Sequence, residues 1–181
     1  MDRGNYMVTY TGTKFYPLDP RKEEIKDKDI SHSLSMLCRG NGHYKHFYSV
    51  AQHSIYCARE AKSLGFSKRV QLACLLHDGS EAYISDITRP VKAYLDSYRE
   101  IEDKLQSLIY RSYGLELTKE ELSEMAKVDD IILSYELKNL LTTESMLKTQ
   151  DDVSTNYDLS LRDMKDVEEE FLRLLKELTA E

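Results

Sequence analysis

The stretch LLHDGSEAYISDITRPVK, residues 75–92, decides how this chain is read. It opens as the end of an apolar helix: Ser67 is a capping residue type, and Val70, Ala73, Cys74 and Leu76 follow it at helical spacing. That helix runs into His77 and Asp78, an imidazole and a carboxylate that would be costly to bury without a partner. Glu81 lies four residues after His77 and three after Asp78, so a continuing helix or turn keeps it beside the pair. Asp86 follows, Thr88-Arg89-Pro90 marks a turn, and Lys92 closes the stretch.

On the N-terminal side, Ser49 precedes Val50, His53, Ile55, Cys57, Ala58 and Ala61, a helical run that Gly65 stops and that carries a histidine on its apolar face. The loop before it, Gly40 to Phe47, contains two glycines together with His43 and His46. A short helix is expected from near Ile30 to Gly40, capped by Asp29 and supported by His32. Pro17, Pro20 and the charged stretch Arg21 to Asp29 read as a linker, and Tyr6 to Tyr16 reads as a hairpin around Thr11-Gly12-Thr13.

On the C-terminal side, Ile101, Leu105, Leu108 and Ile109 stripe one helix that ends near Gly114. Thr118 and Glu121 form a capping box for a long helix through Leu122, Met125, Ile132, Leu133, Leu140 and Leu141. Thr149 to Asn156 reads as a loop, and Met164, Val167, Phe171, Leu174 and Leu175 stripe a final helix. The expected fold is therefore an all-α helical bundle with a short N-terminal β-hairpin. It forms one domain over 1–181, with hairpin and linker in 1–29 and the helical core in 30–181.

Composition narrows the function classes. At 181 residues the chain suits a single core, and 41% hydrophobic with 31% charged residues is ordinary for a globular protein. The longest purely apolar run, Leu72 to Leu76, falls far short of the roughly 20 residues a membrane span needs. Met1 to Met7 lacks the apolar segment of a signal peptide, so a cytoplasmic location is expected and no membrane partner. A formal net charge of −7 argues against extended nucleic acid but leaves room for a small phosphorylated ligand held by local Arg and Lys. Cys38, Cys57 and Cys74 show no paired spacing and read as reduced packing residues.

A divalent ion that binds a phosphate oxygen and activates water takes neutral imidazoles and carboxylates and keeps positions open. His53, the His77-Asp78 pair and an aspartate of Val128-Asp129-Asp130 offer such a set from three helices. Asp129 shares a helical face with Leu122, Met125, Ile132 and Leu140, whereas Asp130 shares one partly with Lys127 and Ser134. That comparison favours Asp129 as the fourth ligand, with Asp130 the alternative.

His, then His-Asp, then a distant Asp is the pattern of the HD-domain phosphohydrolases, which this chain resembles. Residues 75–92 resemble the His-Asp-x-x-Glu block of the bacterial and phage HD 5'-nucleotidase branch. The stretch DISHSLSMLCRGNGHYKHFYSVAQHS, residues 29–54, and the TGTKF turn resemble the same branch, so the similarity runs from about Tyr6 to about Leu141. Asp129 followed seven residues later by Glu136 is similar to phage-type members.

The resemblance implies one divalent metal (Mn, Co, Ni, Fe or Zn) held by His53, His77, Asp78 and Asp129. Glu81 would orient or deprotonate water, and Asp86 would assist the leaving alkoxide or bind the sugar. Arg39 and Lys92 match basic positions near the phosphate, with His43 a further phosphate or base contact. Tyr48, Tyr83 and Tyr94 are read as core or rim residues rather than base-stacking platforms.

The implied activity is that of a 5'-deoxynucleotidase, releasing phosphate from deoxynucleoside monophosphates. A dNTP (tri)phosphohydrolase is the near alternative. An alarmone hydrolase ranks lower, because Glu81-Ala82 stands where that branch has Glu-Asp, and the signalling-dinucleotide branch ranks lower still for want of its Gly-Tyr-Pro element. A catalytically inactive nucleotide sensor, or a helical interaction module with these side chains unconverged, are the non-enzyme alternatives. The resemblance also implies a homodimer or higher homo-oligomer, for which the amphipathic C-terminal helix offers a surface.

Overall fold

The computed structural model describes residues 3–143 and 153–180. Two short strands, β1 (Met7–Val8) and β2 (Lys14–Phe15), pair antiparallel with Met7 opposite Phe15 and Val8 opposite Lys14. The helices follow as α1 (Asp27–Met36), α2 (Val50–Ser63), α3 (Lys68–Leu76), α4 (Glu81–Ile84), α5 (Arg89–Lys92), α6 (Asp96–Ser112), α7 (Lys119–Leu140) and α8 (Met164–Thr179). The all-α class with a small hairpin is borne out. Of the loop expected over Thr149–Asn156, residues 149–152 lie outside the described residues.

The helix boundaries follow local chemistry. The Ser49 hydroxyl accepts from the Gln52 amide and the Ser67 hydroxyl from the Val70 amide. Thr118 and Glu121 cap α7 reciprocally. At the far end of α2, Gly65 at φ 79° lets the Phe66 amide reach back to the Ala61 carbonyl, closing the helix with a left-handed residue.

Four sequence expectations are corrected. The first helix starts at Asp27, not near Ile30, and Asp29 does not cap it. The Asp29 carboxylate instead accepts from the Thr9 hydroxyl (2.8 Å), the Thr11 amide (2.7 Å) and the Thr11 hydroxyl (2.9 Å), fastening the hairpin to α1. That helix ends at Met36 and not Gly40, because residues 37–39 extend to pair with 48–50: the Arg39 amide donates to the Tyr48 carbonyl (2.8 Å) and the Val50 amide to the Leu37 carbonyl (3.1 Å).

The turn at Thr88-Arg89-Pro90 is the start of the short helix α5, where proline's fixed φ and missing N–H are tolerated in the first turn. Finally, the apolar stripe of α8 is covered within the domain, where Val167, Phe171 and Leu175 are buried against α1, α2 and α3.

The core sits between α2 and α3, with α7, α8 and α1 packed around them. Ile55, Leu75, Leu76, Leu105, Ile109, Ile132 and Phe171 are fully buried there. The hairpin joins by stacking Phe15 on Tyr83 with ring centroids 4.0 Å apart. The chain beyond α7 returns over α2, where the buried Glu60 carboxylate accepts from the Ser154 amide (2.9 Å), the Ser154 hydroxyl (2.6 Å) and the Tyr157 hydroxyl (2.7 Å). No helix among the described residues is long and apolar enough to cross a membrane.

Candidate metal centre

Three helices and one turn bring the titratable residues together. His53 projects from α2, His77 caps the end of α3, Asp78 begins the turn to α4, and Asp129 comes from the middle of α7. His53 Nε2 lies 3.3 Å from His77 Nε2, 3.1 Å from Asp129 Oδ1 and 4.0 Å from Asp78 Oδ2. His77 Nε2 lies 3.3 Å from Asp78 Oδ2 and 3.7 Å from Asp129 Oδ1. Ligand atoms held at about 2.0–2.2 Å from one ion stand roughly 3 to 4 Å from each other, so these spacings fit a shared cation.

The turn that presents His77 and Asp78 is held from α6. The Gln106 side chain donates to the Leu76 carbonyl (2.7 Å) and accepts from the Ser80 amide (3.0 Å), clasping both sides of the turn. Gly79 permits this closeness, since a Cβ there would stand 2.9 Å from the Leu76 carbonyl oxygen and 3.3 Å from Ile109.

Both imidazoles are oriented through Nδ1. His53 Nδ1 lies 2.7 Å from Glu136 Oε1, and His77 Nδ1 lies 2.7 Å from the Cys74 carbonyl. With the Nδ1 proton donated in each case, Nε2 keeps its lone pair for a cation. Glu136 is fully buried, and it also accepts from the Tyr48 hydroxyl (2.9 Å) and from Arg39 Nε (3.0 Å). Burial opposes its charge, yet His53 and Arg39 hold the Glu136 carboxyl below the usual range.

Carboxyl groups outnumber fixed cations in the cluster. Asp78, Asp86, Asp129, Glu81 and Glu136 outnumber the nearby cations Arg39, Arg89 and Lys92. Burial works against the Asp129 charge, but His53 and His77 hold its carboxyl well below the carboxylate range. Burial likewise opposes charge on His77, and Asp78 and Asp129 outweigh it, pushing the imidazole up to about 9. Protons are thus gathered where a divalent cation would relieve the same repulsion.

The structure distributes the other predicted residues around this cluster. Glu81 opens α4, almost fully buried with Oε2 lacking a hydrogen-bond partner, and desolvation beside Asp78 and Asp86 pushes its carboxyl up to about 10. Asp86 is half-buried, its carboxyl raised by desolvation against the lowering pull of Arg39. It follows Ser85, whose φ of 71° and ψ of 159° break α4 and turn the chain.

Arg39 reaches further in than a rim residue: beside its bond to Glu136 it lies 3.3 Å from Asp78 and 3.7 Å from Asp129. Burial opposes its charge, but Glu136, Asp78 and Asp129 keep the guanidinium firmly protonated. Lys92 pairs with Glu102 at 2.7 Å and stands 3.9 Å from Glu81. His43 is exposed on its loop, beyond the left-handed run Gly40, Asn41 and Gly42. His32 lies away from the cluster, 2.8 Å from Glu168 and stacked on Tyr10.

Asp129 and Asp130 take different partners. Asp129 offers Oδ1 to the histidines and Oδ2 to Arg89 (2.8 Å), while Asp130 pairs only with Arg89 (3.1 Å) at the more open side among the described contacts. Arg89 and Gln106 are site residues the sequence reading passed over. Arg89 and Gln106 act across 40 and 26–30 residues of chain, which leaves no local pattern. Cys57 stands one helical turn after His53, and its Sγ lies 3.4 Å from His53 Nε2. Cys57 is a free, buried core residue that packs against the His53 ring, and its Sγ lies within 4.8 Å of ligand atoms of His53, His77 and Asp129.

A cleft of about 570 Å³ adjoins His77, lined by Gln106, Tyr110, Arg111, Leu117 and Met125 among others. Its size is in the range of small-ligand sites.

Comparison with known proteins agrees with this geometry. Residues 38–153 match a family model described as HD domain, a span that holds every residue of the cluster. The chain is 38% identical over 111 residues to the uncharacterized protein YfdR of Escherichia coli, covering 61% of this chain and 60% of that one. It is 34% identical over 110 residues to an uncharacterized protein of Rhodobacter capsulatus, covering 58% of this chain and 56% of that one. The matched region thus spans under two thirds of either relative. The chain belongs to the HD-domain family, which supports metal-dependent phosphohydrolase chemistry for this centre.

Proposed function

We propose that this chain hydrolyses a phosphate ester of a small nucleotide, acting as a 5'-deoxynucleotidase on deoxynucleoside monophosphates. The observation that carries the reading is the convergence of His53, His77, Asp78 and Asp129, in which each histidine Nε2 stands 3.1 to 4.0 Å from the other histidine's Nε2 and from the two aspartate oxygens. His53, His77, Asp78 and Asp129 would hold one divalent ion. Bound there, the ion supplies Lewis acidity toward a phosphate oxygen and lowers the pKa of water.

The chain's own residues do the rest. Glu81 holds a proton in the buried part of the site, where desolvation and then the neighbouring Asp78 and Asp86 favour its neutral form, and as a carboxylate it would accept a proton from water. Asp86, on the open side, delivers a proton to the leaving alkoxide. Arg39 supplies fixed positive charge beside Asp78 and Asp129, where negative charge on a transferred phosphoryl group would build. Lys92, beside Glu81, extends that positive edge, and the exposed His43 lies on the loop that leads away from Arg39.

Phosphate release measured with Mn, Co, Ni, Zn and Mg against deoxynucleoside mono- and triphosphates tests the reading. Turnover of monophosphates with at least one metal, abolished in His77→Ala together with metal binding, is the expected result. Inorganic pyrophosphate or triphosphate as the main product would move the chain to the dNTP phosphohydrolase alternative. No release with any metal, and unchanged metal content in His77→Ala, would overturn the enzyme reading.

A further inference from the structure

Helix α6 presents three polar side chains spaced one turn apart on a single face: Tyr98, Glu102 and Gln106. Each grips a different piece of the chain that carries the proposed site residues. Gln106 clasps the turn of His77 and Asp78, Glu102 pairs with Lys92 at 2.7 Å, and the Tyr98 hydroxyl donates to the Ser85 carbonyl at 2.7 Å. The Tyr98 ring also lies beneath Lys92, whose Nζ stands 5.8 Å from its centroid, within reach of a cation–π contact. Tyr98 is half-buried, while Asp96, Ser97, Arg99 and Glu100 around it are exposed.

The residue that Tyr98 holds is strained. Ser85 ends α4 at φ 71° and ψ 159°, a region that glycine enters readily and a residue with a Cβ does not. Such a conformation persists only where the surroundings fix it. Here both of its peptide groups are held: the Ser85 amide donates to the Glu81 carbonyl (2.9 Å), and the Ser85 carbonyl accepts from Tyr98. The next residue is Asp86. The peptide plane that Tyr98 fixes is the one joining Ser85 to Asp86, so its rotation sets the direction in which the Asp86 side chain leaves the backbone. Burial raises the pKa of that carboxyl, and Arg39, Asp78, Lys92 and His53 all act on it, so it faces the cluster.

We propose that Tyr98 is a positioning residue for Asp86: its hydroxyl locks the strained Ser85–Asp86 peptide and keeps the Asp86 carboxyl aimed at the leaving group. The inference rests on the role proposed above for Asp86 as proton donor to the alkoxide. The two parts of the Tyr98 side chain then serve different groups, the hydroxyl Asp86 and the ring Lys92. Removing the hydroxyl alone slows the step that needs the proton and leaves the Lys92 cation in place.

Tyr98→Phe keeps the ring and removes the bond to Ser85, and Ser85→Gly removes the strain. Thermal unfolding of the metal-free single and double variants tests the lock without any turnover. Ser85→Gly should raise the Tm by roughly 2–4 °C with Tyr98 in place, and by less than half as much in Tyr98→Phe, where Ser85 is already able to relax. No gain with Tyr98 in place, or a gain of similar size in both backgrounds, overturns the proposal. Steady-state phosphate release from deoxynucleoside monophosphates supplies the second readout. In Tyr98→Phe kcat should fall about fivefold or more, the change one lost hydrogen bond brings, with KM within about twofold of wild type. A smaller fall in kcat, or a KM that rises as much as kcat falls, overturns the proposal and leaves the hydrolase reading standing. No release by the wild-type protein with any metal overturns the hydrolase reading and the role of Tyr98 with it.

Discussion

Replacing Glu136 by Gln perturbs the centre without touching a proposed ligand. The buried carboxylate receives three donors: His53 Nδ1 at 2.7 Å and the Tyr48 hydroxyl at 2.9 Å on Oε1, and Arg39 Nε at 3.0 Å on Oε2. The amide of Gln has one oxygen. Turned toward His53 and Tyr48, it sets its NH2 against the Arg39 donor and leaves a buried guanidinium short of one charged partner. Loss of one charge-assisted hydrogen bond costs about 1.5–3 kcal/mol. For a chain of this length that is a fall of roughly 3 to 12 °C in the Tm of the metal-free protein.

The second effect is on the metal. A carboxylate that orients a ligating imidazole and raises its basicity is worth about 10- to 100-fold in metal affinity. That is about 1.4–2.7 kcal/mol. Calorimetric titration with manganese, beside thermal unfolding of the metal-free protein, separates the two. Tyr48→Phe is the comparison, because it removes one neutral donor and leaves the His53 contact intact; its loss of affinity should be the smaller. Manganese affinity within about twofold of wild type in Glu136→Gln would refute the orientation argument, since the predicted loss is at least about tenfold.

Three further outcomes are expected. Gly79→Ala should lower stability by about 1–3 kcal/mol, as its Cβ would meet a backbone carbonyl that cannot yield, and chemical denaturation measures this. Glu81→Gln should retain metal, read by elemental analysis, while kcat for phosphate release falls about 10²- to 10⁴-fold; a value within threefold would remove Glu81 from proton transfer. Arg3 donates to Glu24 at 2.6 and 2.9 Å and is the first cause of that carboxyl's lowered pKa. With the folded pKa below the unfolded one, this stabilisation is complete above the ordinary value of 4.5 and is lost as pH falls through the folded pKa. The Tm difference between wild type and Arg3→Met should therefore be largest near neutrality and shrink in acid; a constant difference from neutral pH to pH 3 would show that the pair is not its source.

Local chemistry was legible in the sequence. Ser49, Ser67 and the Thr118–Glu121 box start their helices where the pattern placed them, because a capping side chain reaches only two or three residues along its own chain. Helical periodicity also set Asp129 and Asp130 toward different neighbours, the first toward His53 and the second toward Arg89 on the more open side, since faces on one helix are a matter of spacing. The same logic failed at Asp29, where a capping residue type was drawn to the hairpin by three donors from Thr9 and Thr11. Arg39 is the other such case: strand-like pairing of 37–39 with 48–50 ended a helix early and drove its side chain in among Glu136, Asp78 and Asp129.

Gln106 clasping the His77–Ser80 turn and Arg89 reaching Asp129 were invisible for a related reason, because their partners come from distant stretches of chain that only packing brings within hydrogen-bond range. The sequence by itself determined the helical class and which residue types could meet a cation. Tertiary structure alone decided that Glu136 stands behind His53, because a buried donor finds its acceptor in three dimensions and not along the chain.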